Sequence, residues 1–151
     1  LVILYLAPKI YFMQRTFKSK IGWWMYVLIL LFSFFFFMFI WERYIIWAVV
    51  MAVVDIWFIS MLLHTEYIVL SDGTLLLKSG YAPRYRIKIS DMVSVGYSKN
   101  ARLGYAISFD RLVITWNSGR LRHEQVSPQD KEAFIILLKK INPSIIVEDR
   151  K

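Results

Sequence analysis

The chain has no cysteine and only two histidines, His64 and His123. The first absence removes thiol nucleophiles, disulfides and thiolate metal ligands. The second argues against a zinc or other transition-metal site, because the two imidazoles stand far apart with no carboxylates clustered around them. No glycine-rich phosphate loop occurs. Gly96-Tyr97-Ser98 opens like a nucleophile elbow, but Asn100 stands where the second glycine is required, so a serine hydrolase is not supported. Ser108, Asp110 and Arg111 lie close together in sequence, and they read as charge pairing near strand ends rather than as a catalytic trio. Catalysis, metal and cofactor thus have no residues to rest on, and the expectation is a protein that is not an enzyme.

Acidic residues are also missing ahead of Trp23, where Lys9, Arg15, Lys18 and Lys20 stand unopposed. After Leu63 there are 14 Lys and Arg against 9 Asp and Glu, within a formal net charge of +8 for the whole chain. Between these basic flanks lie two apolar runs, Gly22 to Trp41 and Tyr44 to Leu63, separated only by Glu42 and Arg43. At about 1.5 Å rise per residue, each run spans roughly 30 Å of hydrocarbon. Trp23, Trp24, Tyr26, Trp41 and Tyr44 sit at the ends, where amphipathic rings favour the headgroup level. So short a connection forces antiparallel neighbours, a transmembrane helical hairpin with its backbone bonds satisfied internally. The positive-inside rule puts both termini in the cytoplasm. Asp55 is the one ionisable residue inside a span. With no basic partner in either run, it reads as a neutral or helix-facing acid, its functional alternative being a polar contact in an oligomer or a proton-linked site.

Met13 followed by Arg15, Lys18 and Lys20 reads as a cytoplasmic start, with Leu1 to Phe12 an upstream extension. The expected organisation is a basic segment over 1–20, the hairpin over 21–64, a β-rich domain over 65–147 and a tail over 148–151.

Beyond His64 the pattern changes to short alternating segments. Tyr67 to Leu70 and Thr74 to Leu77 flank Ser71-Asp72-Gly73, an Asp-Gly hairpin signal. Gly80 and Pro83 interrupt the chain before Arg84 to Ile89, in which basic and apolar residues alternate strictly. Further strands are expected at Val93 to Ser98, Tyr105 to Phe109, Leu112 to Trp116 and Leu121 to Val126, the last after the turn Asn117-Ser118-Gly119. The final element is a helix with Ser127 as cap, Pro128 in its first position, Phe134, Leu137, Leu138 and Ile141 on one face, and Pro143 at its end. The fold class is therefore a two-helix hairpin followed by a small barrel or sandwich of about seven strands, with the last helix plugging its open end.

This arrangement resembles the bacterial pleckstrin-homology-like (PH-like) domain, and more narrowly the YyaB-like group in which such a domain follows a two-span hairpin. The resemblance runs from Phe17 to Ile146. It is carried by Ser19 to Trp24 before the first run, Tyr67 to Gly80, Ile89 to Met92, Ala106 to Leu112, Ser127 to Lys131 leading to Phe134, and Asn142-Pro143. It implies a membrane-tethered, non-enzymatic domain and brings no site residues with it.

The candidate site comes from the residues themselves. Arg84, Arg86 and Lys88 emerge on one strand face, and Arg102, Arg120 and Arg122 are candidates to extend it. Near an anionic leaflet each charge contributes about 1 kcal/mol, screened over about 8 Å. The expected partners are the bilayer, anionic lipid headgroups or a protein partner. Nucleic acid is not expected, because the aromatics take the opposite, core-facing parity. The alternative function is a pore-forming or transport accessory component, in which the hairpin oligomerises around Asp55.

Overall fold

In the computed structural model of the protein the described residues are 14–80, 82–98 and 105–148. The extension Leu1 to Phe12, the start at Met13 and the candidate Arg102 lie outside them. Two helices, α1 (Trp23–Trp41) and α2 (Ile45–His64), form the hairpin, and both are long and apolar enough to cross a membrane. Neither has a polar face. In α1 only Met25 is buried, and in α2 only Ala48 and Ser60. The turn between them holds Arg43 at φ 61°, where backbone N–H groups of Glu42, Arg43 and Tyr44 donate back to Met38, Ile40 and Phe39. Across the hairpin Phe32 stacks on Phe58 at 5.5 Å, and the Ser33 hydroxyl donates to Asp55 Oδ2 at 2.8 Å. Asp55 thus faces the other helix through Oδ2, while its buried Oδ1 has no hydrogen-bond partner among the described residues.

The β-rich part contains eight strands in two four-stranded sheets, one more than the sequence pattern counts and not closed into a barrel among the described residues. The first sheet has the order β1 (Arg15–Lys18), β2 (Glu66–Val69), β3 (Thr74–Lys78), β4 (Tyr85–Lys88). A single 3₁₀ turn at Ile89–Asp91 leads to the second sheet, ordered β7 (Leu121–Val126), β6 (Arg111–Asn117), β5 (Met92–Ser98), β8 (Ile146–Glu148). All pairings are antiparallel except β5 with β8. Gly96 to Ser98 are paired residues of β5, so they form regular strand and no elbow.

Strand β1 was not legible as a strand. It comes before the hairpin yet pairs in full register with β2, which comes after it, from Arg15 opposite Val69 to Lys18 opposite Glu66. Its Phe17 enters the core and meets the ring of Phe134 edge-on at 5.2 Å. The helical hairpin is therefore inserted within the sheet, between neighbouring strands.

Two further expectations are corrected. Tyr105 to Phe109 is not a strand, because its carbonyls find other donors: Tyr67 Oη donates to Tyr105, the Gly22 N–H to Ile107, and Arg111 Nε to Ser108. The last helix, α3 (Lys131–Ile141), starts after Ser127, with Asp130 as the cap accepting from the Ala133 N–H at 3.0 Å. Ser127 and Pro128 instead continue toward β1, with the Lys20 N–H donating to Ser127 and the Gln129 N–H to Lys18. Those cross-links hold the segment extended and delay the helix by one turn.

Between the sheets lies one core, which includes Leu75, Leu77, Ile87, Leu112, Ile114 and Val126, with Phe134 and Leu138 of α3 packed into it. Within it the Tyr67 hydroxyl donates to Tyr105, accepts from the Ser127 N–H at 3.0 Å and shares a hydrogen bond with Ser19 Oγ. Burial pushes its pKa up from the ordinary tyrosine range.

Candidate basic surface and its junction with the helices

Strand β4 is the outer strand of its sheet, and the alternation in its sequence decides which residues face out. Ile87 and Ile89 are buried and Tyr85 half-buried, while Arg84, Arg86 and Lys88 are exposed. Arg84 lies just before the strand; Arg86 stands opposite Leu76 and Lys88 opposite Thr74. Because β3 ends near α2, Arg84 opens the stripe at the helix end of the sheet. Lys88 closes it about 13 Å further along, at about 3.3 Å per residue. There Lys88 lines a polar cleft with Asp72, Thr74, Ser90 and Asn142.

Arg122, on the outer strand of the second sheet, donates from Nη1 to Tyr85 Oη at 3.0 Å. That bond ties it to β4 through Tyr85, which alternates with the exposed Arg84, Arg86 and Lys88 and so takes the opposite, half-buried face. The ring of Tyr85 also contacts Trp116 at 5.8 Å and Tyr105 at 6.5 Å, so an aromatic cluster joins β4 to the inner strand β6 of the second sheet. Arg120 is exposed in the turn leading into β7. Guanidinium groups held this way offer forked donors to phosphate or carboxylate oxygens. The Tyr105 hydroxyl donates to the Pro83 carbonyl, and its pKa is pushed up by burial and by Glu124.

The other polar residues singled out in the sequence have structural partners. Asp110 accepts from Lys131 and from Lys20 at 3.1 Å, and these lysines hold its carboxyl below the usual range. Arg111, buried at 4% exposure, donates to the Ser108 carbonyl and to Gln125, and desolvation lowers its pKa. His64 Nδ1 lies 3.0 Å from the Ser60 carbonyl, and His123 lies 3.0 Å from Thr115 Oγ1.

Residues 65–142 match the family described as Bacterial PH domain. The chain belongs to that family. The match covers just over half of the chain and stands at the level of the bacterial PH domain rather than of the YyaB-like group. No curated protein and no solved structure matches the chain. PH-like domains are in general binding modules rather than catalysts. Strands β1 and β8 lie outside the matched residues, although both belong to the sheets of this PH domain.

What sequence reasoning missed is how firmly the PH domain grips the hairpin. At the start of α1, the Gly22 N–H donates to the Ile107 carbonyl at 3.2 Å and Trp24 packs against Phe109. A Cβ on Gly22 would come within 2.9 Å of that carbonyl oxygen. At the end of α2, Thr65 Oγ1 donates to Met61 and contacts Ser79 Oγ, and the Ser19 N–H donates to the Thr65 carbonyl. Gly80 there has φ +50° and faces the Met61 backbone, where a Cβ would approach to 3.2 Å. Each junction thus depends on a glycine where helix and domain meet. A glycine opening the first run and another just past the first β-hairpin were the available signals.

Proposed function

We propose that this protein is a membrane-anchored, non-enzymatic binding module of the bacterial inner membrane. Its hairpin crosses the bilayer twice with both termini on the cytoplasmic side. Its PH domain contacts anionic lipid headgroups or a protein partner through Arg84, Arg86 and Lys88, with Arg120 and Arg122 as further cationic contacts. The observation that carries this reading is the insertion of the hairpin between β1 and β2. Two spans that leave and re-enter one sheet keep both flanks of the hairpin on one side of the bilayer and limit how far the domain can swing. The Ser33–Asp55 bond supports a tether over a pore, since it turns the carboxylate toward its own hairpin partner.

The test uses a chain in which residues 22–63 are replaced by a short Gly-Ser linker, feasible because Ser19 N and Thr65 O lie 3.2 Å apart. It is expected to co-sediment with phosphatidylglycerol vesicles and to lose that association when R84Q, R86Q and K88Q are combined. If the unsubstituted domain ignores anionic vesicles, the lipid branch falls and an acidic protein partner remains. Orientation is checked with the full chain, whose lack of cysteine makes single-cysteine labelling clean. Gln14→Cys and Ser118→Cys should both react from the cytoplasmic side.

A further inference from the structure

Where the two helices leave the PH domain there is a cleft of about 500 Å³, lined by Lys18, Lys20, Tyr26, Leu62, Leu63 and Gln129 among others. Its two walls differ in chemistry. One comes from the end of β1 and the segment after β7, and carries the lysines and the Gln129 amide. The other comes from the first turn of α1 and the last turn of α2, and carries the Tyr26 ring with Leu62 and Leu63. Leu63 is 70% exposed, and Tyr26 50%.

The charge around the polar wall is unbalanced. Glu66 also lines the cleft, but its carboxylate is held by Lys78 at 2.8 Å. Lys20 is paired with Asp110, which Lys131 binds as well. With Lys18, four lysines stand against two carboxylates, an excess of two positive charges. The amino end of α1 adds to it, since Gly22 gives no side-chain cap and the first turn has no acid. At the other helix the Thr65 hydroxyl donates to the Met61 carbonyl and so partners one of the last carbonyls of α2.

We propose that this cleft holds one anionic phospholipid. The headgroup phosphate lies against Lys18, Lys20 and Gln129, and the acyl chains descend along Tyr26, Leu62 and Leu63. A volume of this size suits a phosphoglycerol headgroup. Lipid is the occupant because the apolar wall is the outer surface of the helices themselves, continuous with whatever surrounds the hairpin. The inference rests on the reading of the hairpin as membrane-spanning, and it is separate from the stripe on β4. It would fix the register of the hairpin in the bilayer by a specific contact at the cytoplasmic surface.

The test is native mass spectrometry of the full chain in mild detergent, with phosphatidylglycerol, phosphatidylcholine and glycerol 3-phosphate as probes. One phosphatidylglycerol should be retained per chain, about tenfold more than phosphatidylcholine. Lys18→Gln removes a single exposed charge and should reduce retention about fivefold. Lys139→Gln, which removes an exposed charge in the last turn of α3 outside the cleft lining, should leave it unaltered. Equal retention of the two lipids, loss in Lys139→Gln with none in Lys18→Gln, or no retained lipid would overturn the proposal. Displacement by millimolar glycerol 3-phosphate would overturn it in favour of a soluble phosphate ligand. An unchanged melting temperature of Lys18→Gln guards against misfolding, with Gln129→Ala as the second variant. Alkaline carbonate extraction separates the two failures: release of the chain refutes the membrane reading, whereas an integral chain without bound phosphatidylglycerol refutes only the cleft.

Discussion

Trp23 and Leu63 in the hairpin are 73% and 70% exposed, while Tyr67, Leu75, Leu77 and Phe134 in the PH domain have no exposed surface at all. The two regions use similar side chains and place them in opposite directions. In the domain, apolar burial and a hydrogen-bond network around Tyr67 act together, so stability comes from inside. The hairpin has one described polar cross-link, Ser33 to Asp55, and a few ring contacts, so its stability must come from what surrounds it. Two regions with such different sources of stability should fail independently, and the junction glycines should be where they fail together.

The strongest way to separate them is Phe134→Ala. It removes the ring that meets Phe17 and Tyr67, and should cost the domain about 3–5 kcal/mol in denaturant unfolding. The hairpin should remain carbonate-resistant. Tyr67→Phe should follow at about 1–3 kcal/mol, since it strands the buried Ser127 N–H and the Tyr105 carbonyl. The raised pKa of Tyr67 also sets a direction with pH. Its contribution is complete below the ordinary tyrosine pKa near 10 and is lost as pH rises above that, a loss Tyr67→Phe should abolish.

Gly80→Ala tests the junction itself. With φ at +50° and Met61 close by, it should destabilise the folded chain by about 1–3 kcal/mol, and proteolysis should increase at the end of α2 as well as in the domain. Asp110→Asn should cost less, under about 1 kcal/mol, because its salt bridges are partly exposed. Its carboxyl is held below the usual range, so its contribution is present above about pH 4 and fades as pH falls through the lowered value. Asp55→Asn should change hairpin stability least, by about 0.6 kcal/mol, as measured in lipid by helix-pair dissociation.

Much of the fold was legible because it is written locally. The continuous apolar runs gave the helices, Asp72-Gly73 and Ser118-Gly119 gave the turns, and strict alternation gave β4 its exposed basic face. Leu121 to Val126 is a strand with the bounds expected of it. Arg84, Arg86 and Lys88 were recognisable because period two is a property of the strand alone. The hydrogen bond that brings Arg122 to Tyr85 was not recognisable, since it joins strands of different sheets.

What the sequence by itself determined is therefore the inventory: two apolar helices, a β-rich PH domain, a terminal helix and the sign of the charge around them. Tertiary structure alone decided that Arg15 to Lys18 is a strand, that Tyr105 to Phe109 is not, and that Asp130 caps α3 in place of Ser127. In each of these cases at least one hydrogen bond from residues distant in the chain takes part, beside local ones such as Ala133 to Asp130. Only when β1 closes against β2 do Lys18 and Lys20 meet Tyr26, Leu62 and Leu63 in one cleft. Local patterning selects elements through side-chain periodicity, whereas register, capping and sites depend on which remote donor reaches each backbone group first.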